Sequence, residues 1–473
     1  MKASITGIRL FVIGLFIEVL AIHATAASLQ LISVPDPSFG SPAGGNGDSG
    51  AALVSPDGRF VVFSSTANNL VITGTNAPAS ALTSPQLNVF LRDRSNAVTS
   101  RISVNAAGTA GGNGDSLPMG ISSNGQFVLF ESKASDLVAN DNNNASDVFV
   151  RDVLNGTTVL VSAASSGGAG NGESHGSVMT PDGRFVAFVS SASNLVPLDT
   201  NGIPDVFVRD LQTQTTTLVS AGAVSTNSAP YNSVSESPVI TPDGRYVAFY
   251  SSATNLVLGA FTTGEVYVRD LLSSTTTWAS TNTRALFQSF MGTTNMVSCG
   301  PAISSDGKFV VFQAARNLSN PTNSPGLLLR YDLPNHTTSV ISTNVLVPGA
   351  PYQDVGAPAT TPDAQFVAYA AATNNSGTAI GIFRWDAQTG TNLLVSANLT
   401  GDITAGEDFT GPDISVNGQF VSFLSTATNL TTNVSIAGVY HLYVRDALAG
   451  STKVVDVDTN GIGTGVWPVI VRL

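Results

Sequence analysis

Thr180-Pro181-Asp182-Gly183-Arg184-Phe185-Val186-Ala187-Phe188-Val189-Ser190 is the stretch that decides the fold of this chain. Proline presets φ, aspartate accepts a turn hydrogen bond, glycine supplies the positive φ that closes a hairpin, and the alternating run after it reads as a strand. The unit recurs as Ser55-Pro56-Asp57-Gly58-Arg59-Phe60, Ser123-Asn124-Gly125-Gln126-Phe127, Thr241-Pro242-Asp243-Gly244-Arg245-Tyr246, Ser305-Asp306-Gly307-Lys308-Phe309, Thr361-Pro362-Asp363-Ala364-Gln365-Phe366 and Val416-Asn417-Gly418-Gln419-Phe420. The Asp or Asn residues of the seven copies stand 67, 58, 61, 63, 57 and 54 residues apart. Ala364 in place of glycine is expected to strain the sixth turn or change its type.

Outward from each turn the order repeats. A polar stretch ends in Asn-Leu, as at Asn194-Leu195 and Asn255-Leu256, and a variable loop leads to a third strand such as Val206-Phe207-Val208-Arg209-Asp210. A Thr-rich turn then gives a fourth strand, Thr216 to Ser220 in the third copy. Four short strands repeated at this period predict an all-β chain, a β-propeller of four-stranded blades. Seven copies predict seven blades; the alternative is eight with one incomplete. That alternative arises because Leu29 to Val34 reads as a surplus outer strand and Trp467 to Val471 as a surplus inner one.

The repeated S/T-P-D-G-R/K-F/Y-V-x-F followed by V-F/Y-V-R-D resembles the TolB-type, WD-like propeller repeat, and the resemblance covers nearly all of the chain after its first residues. It implies the architecture and a binding or scaffold role, since similar blades also occur in the propellers of prolyl oligopeptidase-like peptidases. TolB itself carries an amino-terminal α/β domain and a six-bladed ring. This chain has no room for that domain before Ser55, so no TolB partner is carried over.

Lys2 and Arg9, an apolar run from Leu10 to Ile22, and Ala24-Thr25-Ala26 read as a signal peptide over residues 1–26, leaving one propeller domain over 27–473. A secreted or periplasmic monomer is therefore expected, with no membrane span after cleavage. An uncleaved anchor is the alternative reading. Loss of Lys2, Arg9 and Glu18 takes the formal net charge from −12 to −13, which argues against nucleic acid and anionic membranes as partners. Cys299 is the only cysteine, so no intrachain disulfide is possible, and it reads as a small buried apolar residue.

No complete catalytic set is visible. Gly47-Asp48-Ser49-Gly50 and Gly172-Glu173-Ser174-His175-Gly176 match hydrolase motifs, but both lie in the connection that recurs between copies, without the strand and helix a nucleophile elbow needs. His175, His336 and His441 have no ligand spacing. The expected role is non-enzymatic binding of a protein or glycan through the loops, with Tyr231, Phe287 and Phe290 as candidate aromatic anchors. The alternative is an extracellular polysaccharide- or peptide-degrading hydrolase or lyase whose carboxylates, such as Asp115, Glu173, Glu236 and Asp413, converge on the channel. No cofactor is expected; the alternative is calcium, for which Asp199, Asn201 and Asp205 offer oxygen ligands, echoed by Asp141-Asn142-Asn143-Asn144 and Asp147 in the preceding copy, against the plain reading of an Asx-rich turn. The Arg-Asp pairs, Arg209-Asp210 among them, predict an Asp that caps the following turn and an Arg whose stem packs on a neighbouring strand.

Overall fold

The computed structural model describes residues 30–34, 45–71, 86–225, 234–261, 263–317, 324–347, 358–372, 380–404, 409–434 and 438–457. The expected signal peptide over residues 1–26 and the expected strand Trp467 to Val471 lie outside them. Residues 30–34 form bends and no strand, which corrects the outer strand expected there; Ile32 packs on Phe63, Ala67, Leu70 and Phe90 instead.

Each Asp-Gly turn joins two antiparallel strands by one repeated set of bonds. In the third copy Thr180 Oγ1 donates to Asp182 Oδ1 at 2.6 Å, while the Arg184 and Phe185 amides donate to Asp182 Oδ1 and Thr180 Oγ1, both at 3.0 Å. The hydroxyl two residues before Asp or Asn completes the motif, so Ser122, Ser304 and Ser415 serve the turns read above from Ser123, Ser305 and Val416. Gly183 sits at φ +79°, and Ala364 holds the same left-handed position at φ +51°; the sixth turn keeps its type and bears the strain.

Four-stranded antiparallel sheets follow in chain order. The third is typical: Ser174–Met179, Phe185–Ser190, Asp205–Asp210 and Thr215–Leu218, paired in sequence order. Five such sheets stand separately, and Met296–Ile303 through Thr391–Leu394 make one eight-stranded sheet, joined at its middle by the single pair Val345 with Ala371. The first strands of successive sheets lie against one another, which places them at the axis. The molecule is an all-β propeller of four-stranded blades.

The core lies between sheets. Val186, Phe188 and Phe207 of the third sheet pack with Leu129, Val148 and Val150 of the second, and Val208, Val247 and Phe249 join the third to the fourth. Within each sheet an aromatic pair stacks across the middle strands, as Phe188 on Phe207 at 5.8 Å. Five of the six turn glycines also ride on the aromatic that opens the strand after the preceding turn. A Cβ on Gly125, Gly183, Gly244, Gly307 or Gly418 would come within 2.2–2.3 Å of Phe60, Phe127, Phe185, Tyr246 or Phe366 respectively.

One junction differs. Between the last sheet and the first, Gly58 has among the described residues only Arg94 Nη1 at 3.8 Å, Phe420 is 42% exposed, and a cavity of about 440 Å³ opens among Val54, Pro56, Ile414, Val416, Phe420 and Val444.

The Arg-Asp pairs do what the sequence suggested, with an addition. Asp210 accepts the Gln212 and Thr213 amides of the following turn, and Arg209 Nη1 donates to Thr216 Oγ1 on the outer strand at 2.9 Å. Asp210 also pairs with Arg184 of the Asp-Gly turn at 2.8 Å, and that guanidinium is the main cause holding its carboxyl down at about 2. Half-exposed pairs of this kind stabilise little.

Candidate functional site

The first strand of each four-stranded sheet carries a β-bulge, which in four of the five holds a left-handed residue, at Ala51, Gly176, Ser237 and Gly411. Bulges re-aim neighbouring side chains. In the third and fourth sheets the bulge brings His175 and Glu236 to the wall of a cavity of about 410 Å³, together with Met119, Ser177, Pro301 and Pro358. These residues come from successive first strands and from the entry to Ala359–Thr360, so the cavity lies on the axis.

Glu236 dominates its chemistry. Its Oε1 is buried without a hydrogen-bond donor among the described residues, and burial pushes the carboxyl up to about 7. Behind the wall, Glu131 Oε1 accepts both the Ser177 amide at 2.9 Å and Ser177 Oγ at 2.8 Å, and burial raises this carboxyl too against those bonds. Neutral at mildly acidic pH and ionised above it, Glu236 can donate or accept a proton at a ligand in the cavity.

Of the four acids expected near the channel, Glu236 reaches it. Asp115 and Glu173 are exposed one residue before their strands, with Asp115 Oδ1 accepting the Leu87 amide, and Asp413 faces the cavity at the last junction. Glu131 was missed; a charge within the apolar run Phe127-Val128-Leu129-Phe130 was its signal. Ser174, in the hydrolase-like motif, is fully buried against Ser190 Oγ at 2.9 Å, and Ser49 meets Ser65 at the same distance, so neither is a poised nucleophile.

Tyr231 lies outside the described residues. Phe287 and Phe290 lie on a helix, Thr283–Met291, where a loop was expected. Phe287 is fully buried beside Met296 and Val310, so it serves the interior and cannot anchor a partner; Phe290 is half exposed. Asp199, Asn201 and Asp205 do come together: Asn201 Nδ2 donates to Asp205 Oδ2 at 2.7 Å, and Ser220 Oγ donates to Asp205 Oδ1. Among the described residues no three His, Cys, Asp or Glu side chains gather as a metal centre, and no helix is long and apolar enough to cross a membrane.

Cys299 also lies in a first strand, only partly buried rather than buried as expected; it packs against the cluster that holds Val311 and Tyr369, and this desolvation pushes its thiol up to about 12. Iodoacetamide at about pH 8 is expected to leave it unmodified in the native protein and to label it after unfolding, as mass spectrometry would read.

No known family matches the sequence, and no curated protein does. Several solved structures are distantly similar. An oligogalacturonate lyase in complex with manganese is similar at 12% identity and a TM-score of 0.47, over 83% of this chain and 87% of that one. The β-propeller domain of the Trilobed protease from Pyrococcus furiosus gives 13% and 0.44 over 88% and 99%, and a TolB-like protein from Agrobacterium tumefaciens gives 15% and 0.33 over 63% and 82%. Likenesses this distant carry no argument, and both the fold and the site are read from this chain's own strands and side chains.

Proposed function

We propose that the chain is an exported, seven-bladed binding propeller whose axial cavity receives a small polar end group of a glycan or protein. Seven blades follow if the eight-stranded sheet is two: its halves share one strand pair, while Val311, Leu328 and Val345 pack face to face with Val367, Tyr369 and Trp385 as successive sheets do. The binding role rests on Glu236 Oε1, a buried acceptor with no donor of its own. A hydroxyl or ammonium group in the cavity would supply that donor, and the proline walls at Pro301 and Pro358 would hold the space open without rearrangement.

Glycan-array and peptide-array probing of the native chain tests this reading. For any hit, Glu236→Gln is expected to weaken binding by roughly 10-fold or more, because a hydrogen bond to a charged acceptor contributes about 1.5–3 kcal/mol. Retained affinity in that variant would remove the cavity from the account. A hydrolase or lyase is the second reading, favoured by the position of Glu236 at about 7, where general acid-base catalysis works well. Product release from a polymer substrate, lost in Glu236→Gln, would favour it over simple binding.

A further inference from the structure

The residue that opens the third strand differs between sheets: Asn88, Asp147, Asp205, Glu265 and His441 are the polar versions. Where it is charged or ionisable, the protein supplies a counter-charge in two cases. Arg284 Nη2 stands 3.8 Å from Glu265, and Asp456 stands 3.0 Å from His441. Asp147 and Asp205 have none among the described residues.

They face a second acid instead, six residues earlier. Asp141 lies beside Asp147 and Asp199 beside Asp205, with all four less than 9% exposed. The two loops align at an offset of 58, sharing Asp141 with Asp199, Asn143 with Asn201 and Asp147 with Asp205, and both have left-handed backbone at Asn140 and Leu198 and again at Asn144 and Gly202. Ser162 and Asn143 occupy both Asp147 oxygens, at 2.6 and 2.7 Å. Asp141 is different: it is 8% exposed, interacts with Asp147 and receives no hydrogen bond from any described residue, whereas its counterpart Asp199, 7% exposed, accepts the Asn201 amide.

A nearly buried carboxylate without a donor, next to a second one, is what a hard cation would satisfy. We propose that loops 140–147 and 198–205 each bind one calcium-type divalent cation, with Asp141 and Asp147 as the charged ligands in one and Asp199 and Asp205 in the other. Oxygen-only donors exclude a preference for zinc or copper, and main-chain carbonyls or water complete a calcium shell readily.

The native chain, freed of metal with a chelator, should be titrated with Ca²⁺ alone by calorimetry while its thermal midpoint is followed. The expected result is two sites per chain and a midpoint raised by Ca²⁺. Asp141→Asn and Asp199→Asn should each remove one site, and together they should abolish the effect of Ca²⁺ on the midpoint. The double variant should still fold, because an amide relieves the repulsion between the paired acids, and circular dichroism would verify it. Absence of both heat and a midpoint shift in the unmutated protein would overturn the proposal, with no variant needed. So would Ca²⁺ binding that persists in the folded double variant, which would assign it to the acidic surface.

Discussion

Gly183→Ala is expected to destabilise the protein by about 2–5 kcal/mol. About 1–2 kcal/mol comes from forcing a side chain into the left-handed region, and about 1–3 kcal/mol from overpacking, since the new Cβ would stand 2.3 Å from Phe127 Cδ2. Gly58→Ala is the internal control. It has the same backbone, at φ +69°, but no atom nearer than 3.8 Å, so only the conformational part, about 1–2 kcal/mol, should appear. Urea midpoints for the two variants check the difference; equal losses would mean that the glycine-on-aromatic contact does not join the sheets.

The second large effect concerns Glu236 and pH. Its carboxyl is raised in the folded protein to about 7, whereas an unfolded glutamate titrates near 4.3. Between these values the folded state holds a proton that the unfolded state has lost. The stability linked to it is therefore complete below about pH 4.3 and is lost as pH rises through 7, at up to roughly 1.4 kcal/mol per unit. Glu236→Gln should flatten this part of the stability profile and exceed the unmodified protein by roughly 2–3 kcal/mol at about pH 8. Parallel pH profiles for the two proteins would exclude a buried, titrating Glu236. The variant tests two things at once: it should be more stable at alkaline pH and poorer at binding.

The turns, the four-strand order and the ring were legible because hydrogen-bonding residues repeat at fixed offsets and each offset has one structural solution. Glu236 was legible only as one of several acids. Asp115 and Glu173 stand one residue before Ser116 and Ser174, whereas Glu236 stands one residue after Ser235 and next to a bulge. That difference of two positions separates a solvated rim from the axis. The helix at Thr283–Met291 escaped notice because it occurs in one copy, so periodicity was silent. Its burial of Thr283 and Phe287, four residues apart, follows the helical repeat that a search for strands passes over.

The unequal junction also bears on how the molecule yields under stress. A circle fastened alike at five places and more loosely between its last and first sheets does not loosen everywhere at once. Heat, denaturant or mechanical load should part the last sheet from the first while the rest stay clasped, so the ring would open like a bracelet at its clasp. Amide exchange in Phe420–Ser425 and Ser49–Val54 would then run ahead of exchange in Phe185–Ser190.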